Sequence, residues 1–240
     1  MFLWYPKTKD LPIPQPKTVM VKMPFNTLFR FAEQGEPIPD LYRNRIEKAA
    51  KEIGFPLFLR TDLASGKHAW KDTCYVPQLE DLYQHIQGVV ESNDCADILG
   101  LNYSGLAFRE LIETDWAFKA FWGEMPVARE RRYFVEGGKV LCHHPYWIEQ
   151  AIAEWAEGWS KPNLQQDWRQ VLSELNTETP DEVKLLSGYA EQISAVLDGY
   201  WSLDFAHGRD GTWFFIDAAV GSHSWHPEDC PVAKAKRRKR

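Results

Sequence analysis

Near its C-terminal end the chain carries two alternating apolar strands, residues 200–206 and 212–218, joined by a five-residue, glycine-containing turn, and each strand holds one aspartate. Asp204 lies between Leu203 and Phe205, and Asp217 follows Ile216. Aspartate is a poor strand former and a buried carboxylate is costly, so two of them in one hairpin need a reason. Each can cap a turn or pair with a basic side chain. A third reason is a hard cation, because Mg²⁺ takes one or two carboxylates and completes its shell with phosphate oxygens and water. Strand alternation sends each aspartate to one definite face. Their matched places near the ends of paired strands favour the metal.

The segments before this hairpin point to a two-lobed α+β protein. Residues 1–39 are rich in proline, with Pro12, Pro14 and Pro16 spaced by single residues, and read as extended chain with an edge strand over 18–23. Asp40 as N-cap and Gly54 as stop bound a helix over 40–53, with Tyr42, Ile46, Ala49, Ala50 and Ile53 as its apolar stripe. A strand follows over 55–60, then a polar loop over 61–73 made flexible by Ser65 and Gly66, then a helix over 78–91. Residues 106–112 read as a strand. Gly137 and Gly138 mark a hairpin between 131–135 and 139–144, and helices are expected over 147–156, 164–175 and 181–197. No internal repeat is visible.

Basic residues recur along these strands. Arg60 ends one strand, and Lys67 and Lys71 lie in the loop after it. Arg109, Glu110, Glu130, Arg131 and Arg132 lie in or beside later strands. Arginines and lysines facing two aspartates are what a nucleoside triphosphate with Mg²⁺ requires, cations for the phosphates and carboxylates for the metal. Arg60 and Arg132 have apolar neighbours, whereas Lys71 and Arg131, each taken alone, read as solvated surface charges. Alternation places Glu130, Arg132 and Phe134 on one face and Arg131 on the other.

Composition narrows the partners. Net charge is −6, against duplex nucleic acid. The exception is residues 231–240, where Lys234, Lys236, Arg237, Arg238, Lys239 and Arg240 read as a disordered solvated tail. The four cysteines are far apart and no signal peptide is visible, so a reducing cytoplasm is expected rather than a disulfide framework. No apolar run is long enough to span a bilayer.

Taken in order, the segments resemble an ATP-grasp protein. The run from Phe58 through Arg60 to Lys67 resembles the first-lobe signature of a phage and bacterial clade named for one arginine and two lysines. Phe108 to Ile112 resembles the strand leading to the adenine-binding hinge. Glu130, Arg132, Phe134 and Val135 resemble a Glu-x-Arg-x-Phe-Val strand, also carried by eukaryotic ATP-grasp chaperones that assemble a translation initiation factor. Trp201 to Gly221 resembles the terminal metal-binding hairpin. The resemblance implies an ATP-grasp domain over 1–230, with 1–112 as N-terminal part and small lobe, 113–230 as C-terminal lobe, and ATP held in the cleft between the lobes. It implies phosphate contacts from Arg60, Lys67 and Arg132, an adenine hinge at Glu110 and Ile112, and Mg²⁺ on Asp204 and Asp217. It further implies an ADP-forming ligase in which Arg132 and Lys67 serve catalysis, acting on a small carboxylate and an amine acceptor. The alternative is a non-catalytic ATP-binding assembly factor with a protein partner. The asparagine that the family uses for metal falls at Ala219, with Ser222 the hydroxyl nearest in sequence.

Two further patterns point elsewhere. Cys142, His143 and His144 share a strand, and His223, His226 and Cys230 lie near the end. Neighbouring His143 and His144 point to opposite faces, and the second spacing is not that of a standard zinc knuckle. These residues therefore read as half-exposed polar groups or as a pocket rim with Tyr146 and Trp147. A nucleic-acid ligase needs a Lys-x-Asp-Gly nucleophile, and Asp210 and Gly211 are preceded by Gly208 where that lysine would stand.

Overall fold

The computed structural model describes residues 1–96, 100–122, 124–158, 164–227 and 229–233. In chain order the elements are α1 (Tyr5–Thr8), β1 (Thr18–Lys22), α2 (Phe25–Gln34), α3 (Asp40–Ile53), β2 (Leu57–Thr61), β3 (Tyr75–Val76), α4 (Leu82–Ala96), β4 (Gly105–Glu110), β5 (Phe118–Ala120), β6 (Met125–Val127), β7 (Glu130–Glu136), β8 (Lys139–Pro145), α5 (Glu149–Gly158), α6 (Trp168–Asn176), α7 (Pro180–Val196), β9 (Tyr200–His207) and β10 (Trp213–Val220). They form two compact units. One comprises Pro16–Ile112 with Lys119–Pro126, the other Met1–Gln15, Glu113–Phe118 and Val127–Arg240. Among the described residues no helix is long and apolar enough to cross a membrane.

In the first unit the strands are ordered β1-β4-β2-β3, all antiparallel. Cα pairing sets Val19, Phe108 and Leu59 in one row and Val21, Leu106 and Thr61 in another. Leu59, Leu106 and Phe108 pack with Ile46 and Ala50 of α3 and Ile86, Val89 and Val90 of α4. Alternation therefore turns Arg60 and Arg109 to the opposite face of this sheet. α3 has the expected bounds, with Pro39 rather than Asp40 in the capping place and Gly54 ending it at φ 90°. The proline-rich start conceals α2. Its prolines stop at Pro24 and resume at Pro37, and the intervening window ends on Gly35 in a left-handed conformation, which closes a helix. Leu28 and Ala32 bury its apolar side.

In the second unit the order is β10-β9-β7-β8, again antiparallel. α7 covers one face, where Tyr133, Leu203 and Phe205 are buried and Tyr189 packs against Phe205. The first residues of the chain belong here because Trp4 packs on Phe215 and the Pro14 carbonyl accepts a hydrogen bond from the Phe215 N–H, at 2.9 Å. Of the C-terminal tail, residues 231–233 are helical, and Lys234, Lys236, Arg237, Arg238, Lys239 and Arg240 lie outside the described residues.

Gly88 lies inside α4, where alanine is ordinarily the better helix former by about 1 kcal/mol. A Cβ there would stand 2.2 Å from the Asp72 carbonyl oxygen, so the loop carrying Lys67 and Lys71 lies directly on the helix at this glycine. Gly88→Ala is expected to destabilise the protein by about 1–3 kcal/mol in urea unfolding. A gain in stability would contradict this packing.

Candidate functional site

The face of the second sheet that does not meet α7 carries a line of polar residues. Asp217 is the Cα partner of Asp204, Asp204 of Arg132, and Arg132 of His144, one residue from each of four neighbouring strands. A bulge makes this line. Phe215 pairs with Phe205 and Asp217 with Asp204, leaving Ile216 as an extra residue. In a regular strand Asp217 would follow Phe215 to the apolar α7 face. The added residue turns it to the side of Asp204. Alternation alone could not reveal that shift.

Arg132 holds Asp204 with two parallel hydrogen bonds, Nε to Oδ1 and Nη2 to Oδ2, each 2.8 Å. Its guanidinium also lies 4.6 Å over the Tyr146 ring. Burial works against the arginine's charge, but Asp204, with Asp217 further off, more than restores it and keeps its pKa above the ordinary value. Asp217 is half-buried and its Oδ1 accepts the Ala218 N–H at 3.0 Å. Asp204 and Asp217 thus bring two carboxylates to this face beside one arginine. Carboxylate oxygens keep acceptor capacity beyond one hydrogen bond each, so the pair suits a hard divalent cation. Ala219 offers no side-chain ligand. The hydroxyls beside it are those of Ser202, whose Oγ donates to the Ala219 carbonyl at 3.4 Å, and Ser224, 2.6 Å from Ser202.

Arg131 corrects the surface reading. It is wholly buried, its Nε donates to Glu182 at 2.6 Å and its Nη2 to the Thr177 carbonyl at 3.1 Å. A charge immersed in the apolar layer is tolerable because α7 supplies its partner. Glu130 is buried at the start of the same strand.

The other predicted cations lie in the first unit. Arg60 and Arg109 are both buried on the sheet face away from the helices. Arg60 donates to the carbonyls of Thr61 and Leu63 at 3.1 and 3.2 Å, and Arg109 to Thr18 Oγ1 at 3.3 Å. Lys67 opens a short helical turn, Lys67–Ala69, held by Thr73, whose hydroxyl donates to the Gly66 and Ala69 carbonyls. Trp70, beside that turn, packs on Phe58, which shares the arginines' face. Lys67 and Arg60 both lie near the Cys74 thiol. Burial pushes that thiol up to about 12 while the two cations pull it back. Lys71 is exposed and paired with Glu124 at 2.5 Å. Glu110 ends β4, exposed, with its carboxylate accepting the Lys17 N–H, and half-buried Ile112 follows.

The soft ligands set aside from spacing are gathered by the fold. Cys142, His144, His226 and Cys230 have ligand atoms within 4.8 Å of one another. His143 points to the opposite face and meets Glu178 at 3.1 Å, which raises its pKa. His223 is exposed and not in this group. The readable signal was the two-residue spacing of Cys142 and His144, which puts both on one strand face.

A family model for the ATP-grasp domain, family 3 of the clade named for one arginine and two lysines, matches residues 34–238. No curated protein matches the chain in sequence. The fold is similar to that of Cdc123 from Schizosaccharomyces pombe, at 13% identity and a TM-score of 0.54, over 98% of this chain and 87% of that one. N5-carboxyaminoimidazole ribonucleotide synthetase from Thermotoga maritima is 10% identical, with a TM-score of 0.47 over 93% of this chain and 42% of that one. N5-carboxyaminoimidazole synthase from Aspergillus clavatus is 10% identical, with a TM-score of 0.49 over 92% and 45%. The chain spans under half the length of these two synthetases.

Asp204→Ala leaves the Arg132 charge without its partner in a largely water-excluded place. It is expected to cost about 3 kcal/mol in urea unfolding, and Arg132→Met in the same chain should recover most of that loss. A double variant no more stable than Asp204→Ala would show that the uncompensated charge is not the cause.

Proposed function

The chain belongs to the ATP-grasp superfamily, in family 3 of the clade named for one arginine and two lysines, and on that premise we propose an ATP- and Mg²⁺-dependent ligase that joins a small carboxylate to an amine or similar nucleophile through an acyl phosphate. The observation that carries this reading is the line of Arg132, Asp204 and Asp217 across three neighbouring strands. Asp217 and Asp204 are the residues that would hold Mg²⁺. When bound, the ion offsets charge on the phosphate oxygens.

Arg132 anchors Asp204 and brings positive charge to the phosphoryl group in transfer. Arg60 and Arg109, with Lys67 and Lys71, are the cations offered to the remaining phosphates, and Glu110 and Ile112 take the adenine. Glu130, buried at the start of the strand that carries Arg132, completes the set proposed to bind the nucleotide. A carboxylate oxygen of the substrate attacks the γ-phosphorus, the bond to the bridging β–γ oxygen breaks, and ADP leaves. The amine then attacks the acyl carbon, loses a proton, and displaces inorganic phosphate. Little covalent chemistry falls to the protein, and positioning supplies most of the rate. Catalysis rests on Arg132 and Lys67. ATP chemistry with four free cysteines suits a reducing cytoplasm, and the clade resemblance is what suggests a bacterial or phage source.

Ala219 favours a second reading, a non-catalytic ATP-binding assembly factor that engages a protein partner, because it removes one metal ligand. Calorimetry and product analysis separate the possibilities. Asp217→Asn is expected to weaken Mg·ATP binding at least about tenfold, roughly 1.4 kcal/mol, with little change in melting temperature. Undiminished binding by that variant would overturn the metal assignment. For wild type, ADP release stimulated by amino acids or peptides supports the ligase. Tight Mg·ATP binding with no stimulated release supports the assembly factor.

A further inference from the structure

Beside the aspartate and arginine line the same sheet face ends in a set of donors of a different kind. β8 is an edge strand, and Cys142 and His144, two residues apart on it, point to the face that carries Arg132. The chain returns across this face after β10. Ser224 meets Ser202, the His226 ring stacks on Phe134 with centroids 3.5 Å apart, and Cys230 closes a turn with its N–H on the Pro227 carbonyl. Two elements 88 residues apart in sequence thus bring two thiols and two imidazoles together, with all four ligand atoms within 4.8 Å.

We propose that Cys142, His144, His226 and Cys230 form a tetrahedral structural Zn²⁺ site. Zinc binds sulfur at about 2.3 Å and nitrogen at about 2.0–2.1 Å, so the edges of such a tetrahedron are about 3.3–3.8 Å. Cys142 Sγ lies 3.7 Å from Cys230 Sγ and 3.9 Å from His226 Nδ1. The Nε2 of His226 is 2.8 Å from the Tyr200 hydroxyl. That contact lets Nε2–H donate to the phenol oxygen and leaves Nδ1 as the ligand, the orienting partner that metal-bound histidines ordinarily have. His144 Nε2 is buried with no hydrogen-bond partner among the described residues. An unsatisfied buried nitrogen is costly, and a cation at the centre of the four satisfies it. A Cys142–Cys230 disulfide would leave that nitrogen as it is. Two thiolates and two imidazoles suit zinc over the oxygen-seeking Mg²⁺. Four protein ligands leave no open position, so the ion is a clip between β8 and the C-terminal segment.

The test uses the full chain purified without chelators or a metal column. Mass spectrometry of the metal content is expected to give about one zinc per chain, and Co²⁺ exchanged into wild type should show tetrahedral d–d bands with thiolate charge transfer. Cys230→Ser and His144→Ala should lose the zinc, whereas His143→Ala, on the opposite face, should retain it. Chelation of wild type should lower the melting temperature. Absence of zinc together with failure to bind Co²⁺ under reducing conditions would overturn the site. So would undiminished zinc in both ligand variants, or a Cys142–Cys230 disulfide in the freshly isolated protein. The Co²⁺ spectrum needs no variant, so a ligand variant that fails to fold leaves the test decisive.

Discussion

Arg131 and Arg132 are neighbours in β7 and reach opposite faces of one sheet, each into its own carboxylate. Arg131 meets Glu182 of α7 inside the apolar layer, and Arg132 meets Asp204 on the other side. A slip of one residue in β7 would send each arginine to the other's face and leave only one of them opposite a carboxylate. Either slip leaves one charge uncompensated, so the two ion pairs together favour the observed register. The bulge at Ile216 completes the arrangement by turning Asp217 away from the core and opposite Asp204.

That register also sorts metal chemistry across one face. Toward β10 stand oxygen donors, Asp204 and Asp217. Toward β8 stand sulfur and nitrogen donors, and His144 is the Cα partner of Arg132. Hard Mg²⁺ and softer Zn²⁺ choose between such sets by ligand type. Arg132 stands between them, repelling a cation from its own position while holding Asp204 oriented. The proposed zinc clip would steady the strand next to the arginine proposed to serve phosphoryl transfer.

Much of this was legible because period and punctuation agreed. The helix over Asp40–Ile53 showed its stripe and its glycine stop, and the strands around Gly137 and around Asp204 alternated cleanly. Arg132 and the two aspartates were readable as a set because charged residues inside apolar strands are rare. Other features depended on partners distant in sequence. Arg131 looked like a surface charge because Glu182 lies on a helix 51 residues away. α2 was hidden because the prolines around it drew attention from the proline-free window. Cys142 and Cys230 do not announce a shared site when 88 residues separate them. The bulge depends on how β10 pairs with β9, which no single-strand pattern carries.

Asp204 and Asp217 are proposed as the cation site at which ATP is handled. A crystal structure with Mn²⁺ and a non-hydrolysable ATP analogue tests it directly, through the anomalous signal of the ion. The expected result is an ion ligated by both carboxylates and by phosphate oxygens, with Arg132 still bonded to Asp204. Nucleotide bound with its ion elsewhere, while Asp217 stays unligated, would contradict it.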